Sequence, residues 1–449
     1  VLGALAAGVR ADPGVEPLSD AAWGGTEILA RISTPSFPAR TYSIADFGAS
    51  PGADSTAAIR AAVAACSQAG GGRVLIPPGT WLTGAIRLAS NVELHVSKGA
   101  KLLFSTDPSA YSNVPTRFEG VECINYSPLI YAESAENVAV TGEGTLDGQA
   151  SEENWWGWTK RGARLDREDR EKLFRMGEDG VPVERRVFGP GHHLRPSFIE
   201  FLRCQRVLVE GVRIVRSPMW EIHPALSRDV IVRGVDILSH GPNNDGCDPE
   251  CCRDVLIEHC TFDTGDDCIA IKSGRNNDGR RVGVPSEDLL VRGCTMRDGH
   301  GGVVIGSEIS GGCRNVYVED CVMDSPRLNY ALRIKSNAAR GGVLENIFMR
   351  NVRVGSVSDA VLTIDLLYEE GARGGHPPVV RNIWLGHVSS ADSPHVVTIG
   401  SFEGATVTDV HIRDSAFRGV TQAEVEVGAG PVDMQGVSIE RGKPAHGTP

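Results

Sequence analysis

Several things are scarce in this sequence of 449 residues. Aromatic side chains make up 6% of it, while Gly occurs 53 times. That balance disfavours a helical bundle and suits many short strands joined by turns. No apolar run is long enough to span a membrane, so none is expected to enter one. Positive charge is in deficit: the net charge is −12 and the pI near 5.5. A general nucleic-acid binder normally presents a basic face, so nucleic acid is not the expected partner. Paired C-x-x-C motifs are missing, and Cys251 and Cys252 are adjacent, so no zinc pattern is present. The cysteines number 11, so they cannot all pair within the chain. Cys260, Cys294 and Cys321 recur at one repeat position and are expected to pack as small buried side chains. The sequence opens on Val1 without an initiator methionine, and "VLGALAAGVRADP" has the apolar and small-residue pattern at the end of an export leader. The expectation is a periplasmic or secreted protein.

What is present is a repeat. Usually an Asp or Asn, then apolar-x-apolar, then two polar or small residues and a Val, Cys or Ser, recurs as "RVLVEGV", "DVIVRGV", "DVLIEHC", "DLLVRGC", "NVYVEDC", "NIFMRNV", "NIWLGHV" and "DVHIRDS". Its first apolar positions are 207, 230, 255, 289, 316, 347, 383 and 410. A unit of this size cannot bury its inner face alone; stacked units can. Short alternating strands at variable spacing predict a right-handed parallel β-helix, an all-β solenoid. Leucine-rich repeats would need a tighter period and the L-x-x-L-x-L frame, which is missing. One helix is predicted over 55–69. Asp54 or Ser55 would cap its start, Gly70 would end it, and Ile59, Val63 and Cys66 share one face. It is placed to cap the N-terminal end of the solenoid. The domain reading is an N-terminal leader and extension over 1–40 and one β-helix domain over 41–449. A charged insertion spans about 151–193, and a disordered tail covers 443–449.

Polar clusters fall at similar places in successive coils. Asp245 in "NNDGCD" lies fifteen residues after Val230, and Asp266 and Asp267 lie eleven and twelve after Val255. His300 in "GHG" lies eleven after Leu289; Arg333 and Lys335 lie seventeen and nineteen after Val316. Each has an ordinary explanation taken singly. Asp245 and Asp248 suit a turn, His300 suits a loop, and Arg333 and Lys335 suit a solvated strand. Together they place acids, a histidine and two cations along one stripe of a stacked solenoid. Glycosidic cleavage needs one carboxyl to protonate the leaving oxygen and a second to activate water or attack the sugar. Clustered carboxylates raise one another's pKa. Arg333 and Lys335 supply cations for the carboxylate of an acidic sugar.

"NNDGCD", "GDDCIAIKSG", "DGHGG" and "RIKS" stand in the order of the N-x-D, D-D, G-H-G and R-I-K signatures, and on these motifs the chain resembles the family 28 glycoside hydrolases, the polygalacturonases. The wider likeness runs over about 42–368, through "DFGA", "GGGRVLIPPGTW" and "GTLDGQ". The resemblance implies a β-helix that hydrolyses α-1,4-galacturonosidic bonds with inversion and without a metal or other cofactor. It implies Asp266 as general acid, Asp245 and Asp267 as the pair that activates water, and His300 as the residue tuning the acid. Arg333 and Lys335 would grip the galacturonate, Asn243 would support the first motif, and Tyr368 would contact substrate. Asn244 stands where many members have Thr. Inversion predicts carboxyls roughly 6.5–9.5 Å apart.

The insertion, with Trp155, Trp156 and Trp158, has two readings. It walls one end of the site, or its tryptophans only anchor it to the solenoid. Arg195, in "HHLRPSF", is a candidate for a substrate carboxylate. Insertion and flanking sequence look most like bacterial exo-acting members, so release of terminal galacturonate by a monomeric enzyme is expected. Three alternatives stay open: a hydrolase acting on rhamnogalacturonan oligosaccharides, a calcium-dependent pectate lyase, and a non-catalytic sugar-binding β-helix.

Overall fold

A computed structural model describes residues 23–159, 164–422, 425–427 and 432–442. Residues 1–22 of the segment read as leader and extension, and the tail at 443–449, lie outside the described residues, as do residues 160–163 of the insertion.

The chain winds as a right-handed parallel β-helix. One face is a 13-stranded parallel sheet from Thr41–Ser43 to Val432–Gln435, and a second is a 12-stranded sheet from Gly79–Thr83 to Ser438–Arg441. Val207, Val230, Val255, Leu289, Val316, Ile347, Ile383 and Val410 are register partners in successive coils of the first sheet. All are buried and form one inward column of the core. The polar residue that opens each repeat has a physical role. Asp229, Asp254, Asp288, Asn315, Asn346, Asn382 and Asp409 all take positive φ, between 54° and 60°. Asn and Asp tolerate the left-handed region better than other residues with a Cβ. They bend the chain into each strand, and Asn315, Asn346 and Asn382 donate in series to the residue one coil earlier. Cys260, Cys294 and Cys321 are buried, and all 11 cysteines are free thiols.

The third face carries the chemistry. It is built from a four-stranded and a six-stranded parallel sheet. The first ends in β1 (Ile222–Ala225), and the second starts with β2 (Ile269–Ile271), β3 (Val303–Ile305), β4 (Tyr330–Lys335) and β5 (Ala360–Asp365). Cys247 bridges the two sheets by pairing with Ile222 and Ile269. The column therefore runs Ile222, Cys247, Ile269, Val303, Leu332, Leu362 without a break.

Among the described residues, four α-helices decorate the solenoid. α1 (Gly25–Arg31) and the preceding Trp23 lie on outward residues of the first sheet, against Leu208, Ile231, Leu256 and Leu290. The extension read at 1–40 is thus packed against the solenoid from Trp23 onward. α2 (Thr56–Gln68) buries Ile59, Val63 and Cys66 in the core at the N-terminal end, as the pattern predicts. Its first turn is capped by Asp54, which accepts from Thr56 N at 2.9 Å; Ser55 makes no side-chain cap. α3 (Arg167–Glu178) lies in the insertion, and α4 (Asn276–Val282) follows β2. Neither α4 nor an antiparallel hairpin of strands Asn113–Phe118 and Val121–Tyr126 is signalled by the repeat. The hairpin, α3 and the segment around Met219–Trp220 share a second apolar cluster with Phe118, Val121, Leu173 and Leu194.

Candidate active site

Register explains why the acids meet. Asp245 and Asp267 each stand two residues before a column member, Cys247 and Ile269, so they are neighbours on adjacent coils. Asn244, Asp266 and His300 stand three residues before Cys247, Ile269 and Val303 and form the next row. Backbone bonds lock these rows: Gly246 N donates to Asp267 O at 3.0 Å, and His300 N to Asp266 O at 3.0 Å. Beyond the column, side chains alternate in and out along each strand. Ile269 and Ile271 point in, so Lys272 points out. Lys272, Gly306 and Lys335 share one outward row, and Arg333 lies in the row beside it.

The three acids differ in environment. Asp245 and Asp267 are buried, whereas the Asp266 side chain keeps a fifth of its surface exposed. Asp266 Oδ1 accepts from His300 Nδ1 at 3.0 Å, and Asp267 Oδ2 accepts from Lys335 Nζ at 2.7 Å. Burial pushes Asp266 up, but the His300 bond and the charges of Lys335 and Lys272 outweigh it and hold it below the usual carboxylate range. His300 is raised by the same hydrogen bond. Asp245 behaves oppositely: burial, then the Asp248 and Asp266 charges, push it well above the ordinary value.

Arg333 differs from the other cations. Its guanidinium lies 4.9 Å from the Tyr330 ring and 5.4 Å from the Tyr368 ring, and among the described residues it has no carboxylate partner. Lys335 also faces Tyr368, at 5.3 Å. An arginine held between two rings without a counter-ion is a ready site for an acidic ligand.

Several residues here have no place in the sequence reading. Lys272 is buried, 3.6 Å from Asp245, 3.5 Å from Asp248, 3.3 Å from Glu308 and 4.6 Å from the Trp220 ring centre. Its neighbours raise it well above an ordinary lysine, against burial. Strand alternation within "CIAIKSG" was the signal for it. Asp248, which suits a turn by sequence, is fully buried beside Lys272. Glu119, Arg170, Trp220, Glu308 and Glu369 complete the lining of the cleft with Asn243, Asp245, Asp266, Lys335 and Tyr368.

These extra residues form a wall. Glu119 sits at the tip of the hairpin and pairs with Arg170 of α3 at 2.6 Å. Arg170 and Arg275 lie over the Phe174 ring at 5.6 and 4.0 Å. Arg275 reaches Glu308 at 3.3 Å. At Gly120 a Cβ would meet Arg275 N at 2.7 Å and Glu308 at 2.9 Å, so the hairpin tip approaches this closely only with glycine. The hairpin is anchored below by Arg117, which donates to Glu250 at 2.7 Å, and by Thr116, which donates to Glu200 at 2.5 Å.

The tryptophans of the insertion take the anchoring role. Trp155 is buried against Tyr111, Tyr126 and Trp158, and Trp156 donates to Ser217 O at 2.8 Å. Arg195 is a correction. It is buried and donates to Pro218 O, Pro242 O and Asn243 Oδ1, each at 2.7 Å, so its donors are turned to the protein and not to a substrate carboxylate.

A concavity of about 490 Å³ lies elsewhere, between turns that include Arg280, Gly312, Gly342 and Pro377, and Glu345 is the one acid in its lining. Asp266, Asp267 and His300 have ligand atoms within 4.8 Å of one another. His300 and Lys335 already compensate both carboxylates, so this donor set suits a cation poorly.

Comparison with known proteins gives an independent view. The family model "Glycosyl hydrolases family 28" matches residues 190–428, just over half of the chain. A probable polygalacturonase of Vitis vinifera is 30% identical over 328 residues, covering 70% of this chain and 60% of the relative. An exo-poly-alpha-D-galacturonosidase of Dickeya chrysanthemi is 26% identical, covering 70% of this chain and 55% of the relative. The chain thus spans less than two thirds of either relative's length. The crystal structure of a hyperthermoactive exopolygalacturonase from Thermotoga maritima superposes with a TM-score of 0.89 and 46% identity, covering 93% of this chain and 95% of that one.

Proposed function

The chain belongs to family 28 of the glycosyl hydrolases, and on that premise we propose that it hydrolyses α-1,4-galacturonosidic bonds of polygalacturonate, releasing terminal galacturonate. The observation that carries the reading is the cluster of Asp245, Asp266 and Asp267, on two adjacent rows, beside Arg333, a cation with no carboxylate of its own among the described residues. A neutral sugar would leave that charge uncompensated.

The partial exposure of Asp266 makes it the acid that reaches the glycosidic oxygen. Substrate binding supplies its proton affinity. A galacturonate carboxylate at Arg333 and Lys335 offsets Lys335, one of the cations that hold Asp266 low, and adds a negative charge nearby, and both effects raise it. In the reaction the C1–O4 bond breaks and its electron pair goes to O4, which takes the Asp266 proton. Water attacks C1 from the opposite face. Its proton passes to the buried carboxylates Asp245 and Asp267, and exchange with solvent resets both groups. Asp245, kept basic by Asp248 and by burial, is matched to that task.

The wall of Glu119, Arg170, Glu308 and Glu369 supports cutting from an end, since a polymer threaded through the cleft would meet the hairpin tip. The exo-acting names of the Dickeya and Thermotoga proteins support the same choice. A pectic substrate is most accessible outside the cell, which supports export. No helix of the described residues is long and apolar enough to cross a membrane.

Proton NMR of the first product tests the chemistry. Inverting hydrolysis of an α bond yields the β anomer first, before mutarotation. The α anomer appearing first, or an unsaturated product, would rule out the assigned acid and base pair.

A further inference from the structure

We infer that Arg195 is a positioning residue, tying the wall of the pocket to the turn that carries Asp245. The inference rests on the hydrolytic reading above, because it concerns the placement of that reaction's base.

Arg195 is 2% exposed and, among the described residues, has no carboxylate partner. Burial lowers its pKa to about 10, which still leaves it charged at neutral pH. A buried guanidinium without a counter-ion is costly. Its hydrogen bonds show what it does. Nη1 binds Pro218 O and Pro242 O, and Nη2 binds Asn243 Oδ1. The fixed fork of an arginine therefore holds one side of the turn 242–245, where Asn243 has a φ of +55°. Asn244 holds the other side: its Oδ1 accepts from Ser239 Oγ and Gly241 N at 2.7 Å, and its Nδ2 donates to Ser217 O and Met219 O at 3.1 Å. Asp245 follows directly.

The other end of the link lies in the insertion. In α3, Asp169 accepts from His192 Nδ1 and from His193 N, the latter at 2.7 Å, and so fixes the chain two residues before Arg195. The next residue of α3, Arg170, is the wall cation paired with Glu119. One helix thus sets the wall through Arg170 and, through Asp169, the segment that delivers Arg195 to the catalytic turn. Wall and base move as one unit. Misplacing a catalytic group by about 1 Å can cost about 100-fold in rate.

The test is steady-state kinetics on oligogalacturonides for Arg195→Met, Arg195→Lys and Asn243→Ala, with thermal melts to fix the folded fraction. The expected result is a fall in kcat of about 10- to 100-fold with KM changed by less than about twofold. Lysine should not rescue, because one ammonium cannot span the three acceptors. Arg195→Lys combined with Asn243→Ala should lose less than the sum of the two single losses, because the variants share the Arg195–Asn243 bond. A rise in KM at constant kcat would make Arg195 a substrate ligand and overturn the proposal. So would full rescue by lysine, or a loss that only tracks the folded fraction. If the Arg195 variants do not fold, Asn243→Ala breaks the same bond, and wild-type kcat there would overturn the proposal equally. Absence of turnover in the wild type would instead sink the hydrolytic reading itself.

Discussion

Asp266 and Asp245 are carboxyls of one cluster that are driven in opposite directions. Asp266 is held low by His300, Lys335 and Lys272; Asp245 is held high by burial and Asp248. Replacing Asp266 by Asn keeps shape and removes the acid, so turnover should fall by about 10²- to 10⁴-fold with the melting temperature nearly unchanged. A reducing-sugar assay beside a thermal melt checks this; near-normal turnover would remove Asp266 from the acid's role. Arg333→Gln should act differently. It deletes a cation of the cleft that has no carboxylate partner among the described residues and should raise KM by about tenfold or more, since charge-assisted contacts are worth about 1.5–3 kcal/mol. An unchanged KM would mean the substrate carboxylate lies elsewhere. At this scale the sequence was informative where chemistry clusters in a motif: the three acids, His300, Arg333 and Lys335 come together as their spacing implied. Arg195 was misread because a lone arginine in sequence carries no record of its acceptors. Lys272 was overlooked although the strand alternation around Ile269 and Ile271 points it outward.

The elements that wall the cleft are the hairpin and α3, and neither belongs to the repeat. Their contacts come from turns of unequal length, which sequence periodicity does not encode. Hence the wall was expected only as an alternative, and the tryptophans of the insertion could not be divided between stacking and anchoring. The hairpin anchor has a pH signature. Burial raises Glu250, but Arg117 and His223 outweigh it and take its pKa to about 2. Glu200 is pushed up to about 8, chiefly by burial. The ordinary value for both is 4.5. The depressed Glu250 contributes stability that is present above pH 4.5 and lost as pH falls towards 2. The raised Glu200 contributes stability that is full below pH 4.5 and lost as pH rises towards 8. Together they favour a stability maximum near pH 4.5, with losses of a few kcal/mol on either side. Melts of Glu200→Gln should lose the alkaline decline, and melts of Glu250→Gln the acid one. Parallel profiles in both variants and the wild type would refute this account of the anchor.

As a whole molecule, the protein is a rigid ladder that presents one row of chemistry at a walled cleft. Its long axis was legible because the Asp or Asn that opens each repeat is also the residue that turns the chain into the next strand, and because Val207 through Val410 fall in one inward column. What stacks on that ladder was not legible. The donor set around Asp266 and Asp267 is already compensated by His300 and Lys335, so chelator treatment should leave turnover unchanged, and a loss restored by calcium would favour elimination. The most direct test of the central claim is chromatography of products from polygalacturonate over time. The account predicts saturated monogalacturonate as the sole small product from the earliest time point. A ladder of intermediate oligomers at early times would contradict it, and with it the reading of the hairpin and α3 as the wall of an exo-acting pocket.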